Sequence, residues 1–160
     1  MSDVILYTDG GCRGNPGPGG WGFLAINPIT GNALERCGGE RETTNNRMEL
    51  SAAINGLKSM KKPGLTVALY SDSQYVIKSA TEWMAGWKRR GWKKADGPLK
   101  NVDLLKELDA VAARFEIDWK WVKGHAGDPG NEAADALTNR AMDAVQAGRD
   151  PAWEQRLVWR

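Results

Sequence analysis

The sequence predicts an α/β fold in which a five-stranded mixed sheet is flanked by helices. Two observations lead to this prediction. Three short segments rich in β-forming residues follow one another near the N-terminus, which favours an antiparallel meander. A strand–helix–strand unit comes next, and such a unit is typical of parallel pairing. We therefore expect strands one, two and three to be antiparallel, and strands one, four and five to be parallel.

The five predicted strands are recognised from different patterns. The first is a continuous apolar run, which suits a strand buried on both faces, and the fifth alternates Ile117, Trp119 and Trp121 with polar residues. Turn-forming residues 27–32 separate the second strand from the third, and we interpret the glycine-rich residues 10–20 as a turn. The predicted strands are residues 4–8, 21–26, 33–37, 65–71 and 117–121.

Five helices are predicted from capping residues and from apolar spacing. Thr44 and the two asparagines after it offer caps for the first helix, in which Leu50, Ile54 and Leu57 share one face. The Pro63-Gly64 pair ends that pattern before the fourth strand. The predicted helices cover residues 44–60, 73–80, 82–87, 101–115 and 131–147.

Length and composition indicate one compact domain. A chain of 160 residues fits a single core, which we place at residues 1–147, with a C-terminal tail at 148–160 whose three large apolar residues could dock back. The 41% hydrophobic and 26% charged shares are ordinary for a soluble globular protein. We find no apolar run of membrane-spanning length and no secretory leader, and two cysteines suit a reducing compartment. We expect a cytoplasmic monomer.

Basic charge is concentrated in one segment, residues 83–100. Six basic residues and one acid give this segment +5, so the remainder of a chain with net charge +2 carries −3. A concentrated basic patch attracts a polyanion better than a diffuse one, which indicates nucleic acid. The alternative is a solvated helix with Trp83, Trp87 and Trp92 packed beneath its charges, and both interpretations can hold together.

Four carboxylates stand where the predicted architecture brings them together. Asp9 and Asp72 end two strands expected to be parallel neighbours, at the sheet edge where open α/β sheets bind ligands. Glu49 and Asp135 lie in the first turns of two helices. Each acid alone is better explained as a turn former, cap or solvated residue. Together they repel one another, and divalent cations such as Mg²⁺ or Mn²⁺ would relieve that repulsion.

Five motifs in chain order strengthen this interpretation. They are TDGGCRGNPGPGG from Thr8, TTNNRMEL from Thr43, SDSQYV from Ser71, WKRRGWK from Trp87 and WVKGHAG from Trp121, the last followed by Asn131, Glu132 and Asp135. Together they resemble the ribonuclease H family of the bacterial RNase HI type, over residues 4–147. The resemblance implies a ribonuclease H-like fold with a basic helical handle at about residues 82–100. It also implies an endonuclease that cuts the RNA strand of RNA–DNA hybrids, leaving 5′-phosphate and 3′-hydroxyl ends.

The same resemblance implies roles for individual residues. Asp9, Glu49, Asp72 and Asp135 match the carboxylates that bind two Mg²⁺ ions, or Mn²⁺ in their place. His125, the only histidine, matches a mobile loop residue that shuttles protons or helps product leave. Further positions match substrate contacts: RNA-strand contacts at Cys12, Asn15, Asn45, Asn46 and Gln74; a DNA phosphate pocket at Thr44 and Asn101; the DNA channel at Trp83 and Trp87; and handle cations at Lys88, Arg89 and Arg90.

One departure from the family pattern concerns the phosphate pocket. The family often has an arginine at the position of Glu42, and whether the neighbouring Arg41 substitutes for it stays open from the sequence.

Two other classes of function stay open from the sequence. Another nuclease or transposase of the same fold would share the clustered acids without needing the KGHAG loop or the handle. A non-catalytic hybrid-binding module would leave the four intact acids unexplained. A nucleotide-binding loop at residues 10–20 is disfavoured, because the lysine of such loops is missing and a strand follows.

Overall fold

A six-stranded mixed sheet forms the centre of the computed structural model, which describes residues 2–124 and 126–159. Within those residues a separate two-stranded hairpin completes the strand content. The strands of the main sheet are β1 (Val4–Cys12), β2 (Gly17–Ile26), β3 (Asn32–Thr43), β4 (Thr66–Ser71), β7 (Glu116–Trp121) and β8 (Trp153–Val158), and those of the hairpin are β5 (Lys93–Lys94) and β6 (Gly97–Pro98).

The order of the main sheet is β7-β4-β1-β2-β3-β8. Strands β1, β2 and β3 form the expected antiparallel meander, and β1, β4 and β7 are parallel, so the predicted pairing of the five strands is confirmed. The predicted count of five was one too low. Residues 153–158, which we placed in a tail, pair antiparallel with β3 and form an edge strand. Trp153 anchors that strand by packing on the cluster of Cys37, Leu137 and Ala141.

The glycine-rich residues 10–20 are mostly strand, which corrects the prediction of a turn. Strand β1 continues to Cys12 and β2 begins at Gly17, with Gly11 paired to Gly20. A Cβ at Gly20 would stand 2.9 Å from the Cβ of Ala141, so the absence of a side chain lets a helix lie directly on β2. These glycines therefore serve close packing within a sheet rather than a loop.

The helices are α1 (Asn45–Lys58), α2 (Gln74–Lys78), α3 (Met84–Arg89), α4 (Val102–Ala112) and α5 (Pro129–Gln146). A π-helical turn, Ser79–Trp83, joins α2 to α3, so the two predicted helices at 73–87 are one continuous helical segment. Thr44 caps α1 by accepting a hydrogen bond from the Arg47 N–H, and Asp128 caps α5 in the same way from Asn131.

Two apolar layers hold the helices on opposite faces of the sheet. On one face α1 packs on β1 and β2 and α4 packs on α1, and the fully buried Leu6, Phe23, Leu50 and Leu105 belong to this cluster. On the other face α5 covers β2 and β3. In the part of the chain that the structure describes, no helix is long and apolar enough to cross a membrane.

Candidate active site and metal centre

Parallel pairing of β1 and β4 places two of the predicted acids side by side. Thr8 pairs with Ser71 at the end of the register, so Asp9 and Asp72 are the next residues on neighbouring strands. Asp72 follows the last residue of β4 as predicted, whereas Asp9 lies within β1, which runs three residues further. The Trp121 indole N–H donates to the Asp72 carbonyl oxygen at 3.1 Å and links β7 to this edge.

Glu49 reaches the same edge because α1 lies directly against β1. A Cβ built on Gly10 would stand 2.4 Å from the Met48 carbonyl carbon and 2.5 Å from the Glu49 nitrogen. Only a glycine permits this approach of the two backbones. The capped first turn of α1 then sets which way the helix presents Glu49.

The carboxylates of Asp9, Glu49 and Asp72 form a tight acidic group. One oxygen of each lies within 4.8 Å of the others. Asp9 is 6% exposed, and Glu49 Oε1 is enclosed and accepts no hydrogen bond from any described residue. Burial, together with the nearby charge of Asp72, raises the pKa of Asp9 to about 8, and burial raises the pKa of Glu49 well above its ordinary value. Crowded carboxylates with an unsatisfied buried oxygen suit a divalent cation held by oxygen ligands.

Asp135 stands at the rim of the same cleft, outside the tight group. It lies in the second turn of α5, and its charge contributes to the raised pKa of Asp9. The cleft has a volume of about 380 Å³. Its lining includes all four predicted carboxylates together with Asn45, Asn46, Thr138 and Asn139.

Three predicted RNA-strand contacts are bonded to one another beside this cleft. The Cys12 N–H donates to Asn45 Oδ1 at 2.8 Å, and the Asn45 N–H donates to Asn15 Oδ1 at 3.2 Å. The Cys12 thiol completes the ring by donating to Asn15 Oδ1 at 3.5 Å. These contacts tie the loop between β1 and β2 to the start of α1.

Arg47 joins the two residues predicted to grip a phosphate. Its backbone N–H donates to Thr44 Oγ1 at 3.3 Å, and its guanidinium donates to Asn101 Oδ1 at 3.4 Å. An ion pair with Asp103 at 2.8 Å holds the guanidinium in place. Asn101 also donates to the Tyr75 hydroxyl at 3.2 Å.

Comparison with known proteins agrees with this site. The family model for RNase H matches residues 1–143. The chain belongs to the RNase H family. It is 58% identical over 151 residues to the Ribonuclease H of Pseudomonas putida strain W619, covering 93% of this chain and all of that protein. It is 55% identical over 144 residues to the Ribonuclease H of Bordetella pertussis, covering 89% of this chain and 91% of that one. The chain is therefore a hydrolase of the endoribonuclease class, as predicted.

Solved structures share the RNase H fold. LC9-RNase H1, a type 1 RNase H with the type 2 active-site motif, is 32% identical with a TM-score of 0.79, covering 94% of this chain and 75% of that one. LC11-RNase H1 in complex with an RNA/DNA hybrid is 25% identical with a TM-score of 0.65, covering 89% and 99%. The predicted fold class is confirmed apart from the additional strand.

A second, more apolar groove runs beside the RNase H carboxylates. The Trp83 and Trp87 rings lie 5.7 Å apart at its wall, and Asn46, Tyr75 and Asn101 also line it, around a volume of about 540 Å³. Gln74 is exposed at the start of α2, in the chain between Ser73, which lines the acidic cleft, and Tyr75, which lines this groove.

The handle cations lie at the C-terminal end of α3. Lys88 forms an ion pair with Asp109 at 3.2 Å, while Arg89 and Arg90 are exposed. Arg41 and Glu42 are exposed in β3, and the arginine in contact with Asn101 is Arg47.

His125 lies outside the described residues, so its predicted role stays a prediction. Sequence reasoning overlooked Asn139, whose Nδ2 donates to the Asp135 carboxylate at 3.3 Å. Its position four residues after Asp135 on a predicted helix was the available signal, because residues at this spacing are neighbours on a helix surface.

Proposed function

We propose that this RNase H hydrolyses the RNA strand of RNA–DNA hybrids with divalent metal ions, leaving 5′-phosphate and 3′-hydroxyl ends. The observation that carries the proposal is the group formed by Asp9, Glu49 and Asp72, whose oxygens converge within 4.8 Å at the edge of the sheet. LC11-RNase H1, a neighbour in structure, binds an RNA/DNA hybrid. That neighbour supports the choice of substrate.

The donor set suits Mg²⁺, with Mn²⁺ as a substitute. All of the converging groups are carboxylates, and hard oxygen ligands favour these ions over softer metals. Asp9, Glu49 and Asp72 would hold one ion, and Asp135, across the same cleft, would share a second with Asp9. Two such ions supply an activated water and neutralise the charge that develops on the leaving oxygen.

The protein prepares this site by crowding carboxyl groups into a pocket from which water is largely excluded. Asp9 and Glu49 hold protons more tightly than ordinary carboxyls, since burial and the neighbouring acids raise their pKa. Binding of a cation would therefore displace protons from the group. The same burial excludes solvent and strengthens each electrostatic contact in the cleft.

Recognition of RNA would fall to the hydrogen-bonded ring of Cys12, Asn15 and Asn45 beside the carboxylates, which we call the amide ring. Asn15, Asn45 and Asn46 are exposed, and Asn45 and Asn46 line the cleft. Amide and thiol groups can donate to and accept from the 2′-hydroxyl, the group that separates RNA from DNA at a cleavage site. The amide ring would therefore contact the RNA 2′-hydroxyl next to the metal ligands. Gln74 would offer a further side-chain amide to the RNA strand.

The other strand of the hybrid would lie along the tryptophan groove. Trp83 and Trp87 offer aromatic faces to sugars and bases, and Thr44 with Asn101 would bind a phosphate of the DNA strand. The cations of the handle, Lys88, Arg89 and Arg90, would attract phosphates further along the DNA strand.

We also propose that His125 assists proton transfer or product release and that the enzyme acts as a monomer. We propose further that it works in a reducing cytoplasm, where free thiols such as Cys12 and Cys37 persist.

A cleavage assay on end-labelled substrates tests the proposal. The wild-type enzyme should cut the RNA of an RNA–DNA hybrid in Mg²⁺, leave RNA duplex, DNA duplex and single-stranded RNA intact, and stop in EDTA. Asp9→Asn should abolish cleavage and keep hybrid binding, because it removes a metal ligand and spares the distant phosphate contacts. The matched control is Asp118→Asn, since Asp118 is an exposed acid on β7 that pairs with Lys120. Substantial cleavage by the Asp9 variant would count against metal catalysis at this group.

A further inference from the structure

Arg13 connects the RNA-contact loop to the helix that carries the fourth carboxylate. It directly follows Cys12, the last residue of β1, and its side chain is about two-thirds buried. Nη1 donates to Asp143 Oδ1 at 2.7 Å and to Gln146 Oε1, and Nη2 donates to Asn139 Oδ1 at 3.3 Å. All three acceptors lie on α5, so one guanidinium spans the last two turns of that helix.

Asn139 connects Arg13 to Asp135, because its side-chain amide is hydrogen-bonded to both. Its Nδ2 donates to Asp135 Oδ2 at 3.3 Å and to the Asp135 carbonyl oxygen at 3.0 Å. A side-chain amide has its acceptor and its donors on opposite sides. Because Arg13 holds the amide oxygen, the amide nitrogen must face Asp135. The guanidinium thereby determines which way the amide is turned.

We propose that Arg13 and Asn139 are positioning residues that orient the Asp135 carboxylate for its metal ion. The inference rests on the proposed function, in which Asp135 completes the metal centre. Asp135 needs such support more than Asp9 and Glu49 do. It stands outside the tight carboxylate group, on a helix surface, while Asp9 and Glu49 are fixed by burial between β1 and α1. Partners behind a metal ligand set its orientation and its basicity.

The arrangement also couples substrate contact to the metal centre. Arg13 lies between Cys12 and Asn15, both in the amide ring proposed to contact RNA, and through Asn139 it reaches Asp135. A direct contact of Arg13 with a substrate phosphate is the competing explanation. The structure favours the positioning role, because the guanidinium already donates to three side chains of α5.

The test compares Asn139→Ala, Arg13→Gln and the double variant in the full-length enzyme. Asn139→Ala should raise the Mg²⁺ concentration that half-saturates cleavage by about tenfold, as loss of a partner behind a metal ligand does. Arg13→Gln acts one contact further away and should raise it by about threefold, the range of a partly exposed ionic contact. If Arg13 acts through Asn139, the double variant should match Asn139→Ala alone. The control is Arg140→Gln, whose guanidinium lies on α5 but stacks on Trp153 at 4.1 Å.

A second readout does not depend on activity. The side-chain amide of Asn139 gives its own ¹H–¹⁵N resonance pair in NMR spectra of the metal-free enzyme. Arg13→Gln should shift this pair, and Arg140→Gln should leave it in place. Two results would overturn the proposal. The first is an Asn139 resonance pair that does not shift in Arg13→Gln. The second is an increase in the half-saturating Mg²⁺ concentration on Arg13→Gln that is just as large when Asn139 is already alanine. A rise in the KM for hybrid without a change in the Mg²⁺ requirement would overturn it in favour of direct substrate contact. Failure of the wild-type enzyme to cut hybrid would instead refute the proposed function.

Discussion

Replacing Asp9 by asparagine should stabilise the metal-free protein even though it destroys the metal site. Asp9 is buried beside Glu49 and Asp72, and this surrounding raises its pKa from an ordinary 3.8 to about 8. Asparagine has nearly the same shape and carries no ionisable proton. The substitution therefore removes a repulsive, poorly solvated charge and leaves the packing of β1 in place.

The magnitude follows from the difference between the folded and unfolded pKa of Asp9. Between pH 3.8 and about 8 the unfolded chain ionises Asp9 while the folded protein retains the proton, so unfolding releases a proton. The free energy of unfolding of the wild type consequently falls as pH rises through this window. About three pH units separate 3.8 from neutrality, and at roughly 1.4 kcal/mol per unit the loss at pH 7 is on the order of 4 kcal/mol. For a chain of this size that corresponds to a rise in Tm on the order of 10 °C for Asp9→Asn.

Thermal unfolding followed by circular dichroism in EDTA at pH 5, 7 and 8 measures this effect. The difference in Tm between Asp9→Asn and the wild type should grow with pH, and Mg²⁺ should narrow it because the ion stabilises only the wild type. Asp103→Asn is the matched control. Arg47 lowers the pKa of Asp103 to about 2, so this substitution should reduce stability at neutral pH, and only slightly, since Asp103 is 65% exposed. A Tm for Asp9→Asn equal to or below that of the wild type at pH 8 would refute the reasoning.

Three further predictions concern the handle, the backbone contact and the metal. Neutralising Lys88, Arg89 and Arg90 together should raise the KM for hybrid and flatten its dependence on salt while kcat is nearly kept; an unchanged KM at low and high salt would remove the handle from substrate binding. Gly10→Ala should lower the free energy of unfolding by at least about 1–3 kcal/mol in chemical denaturation, because its Cβ would collide with the α1 backbone, and native-like stability would contradict that contact. The affinity for Mg²⁺ measured by calorimetry should rise with pH up to about 8, since the ion displaces the proton of Asp9, and a flat profile would contradict the raised pKa.

The fold was largely accessible from sequence because its strands carry strong local patterns. Continuous apolar runs and the strand–helix–strand unit predicted the pairing that the structure shows for five strands. The edge strand was missed because β8 is held by pairing with β3 and by the packing of Trp153, two long-range contacts that leave no local period. The extents of β1 and β2 were missed because glycine signals a turn locally, whereas here it makes room for α1 and α5.

The site was accessible to a similar degree. Strand ends and motifs indicated which acids converge, and the structure brings Asp9, Glu49 and Asp72 together, with Asp135 at the rim of the cleft. The residues that support the carboxylates, such as Arg13 and Asn139, could not be predicted from the sequence. The position of Arg13 against Asn139, 126 residues apart, depends on how α5 crosses the sheet. Such partners are set by tertiary packing and carry no motif of their own.

Anomalous diffraction from crystals soaked in Mn²⁺ tests the central claim most directly, because the scattering locates the ion without reference to activity. The account predicts an anomalous peak among the carboxylate oxygens of Asp9, Glu49 and Asp72, at coordination distances of about 2.0–2.3 Å. It also predicts that the peak is lost in Asp9→Asn. Mn²⁺ bound elsewhere, with these three carboxylates left without an ion, would contradict it.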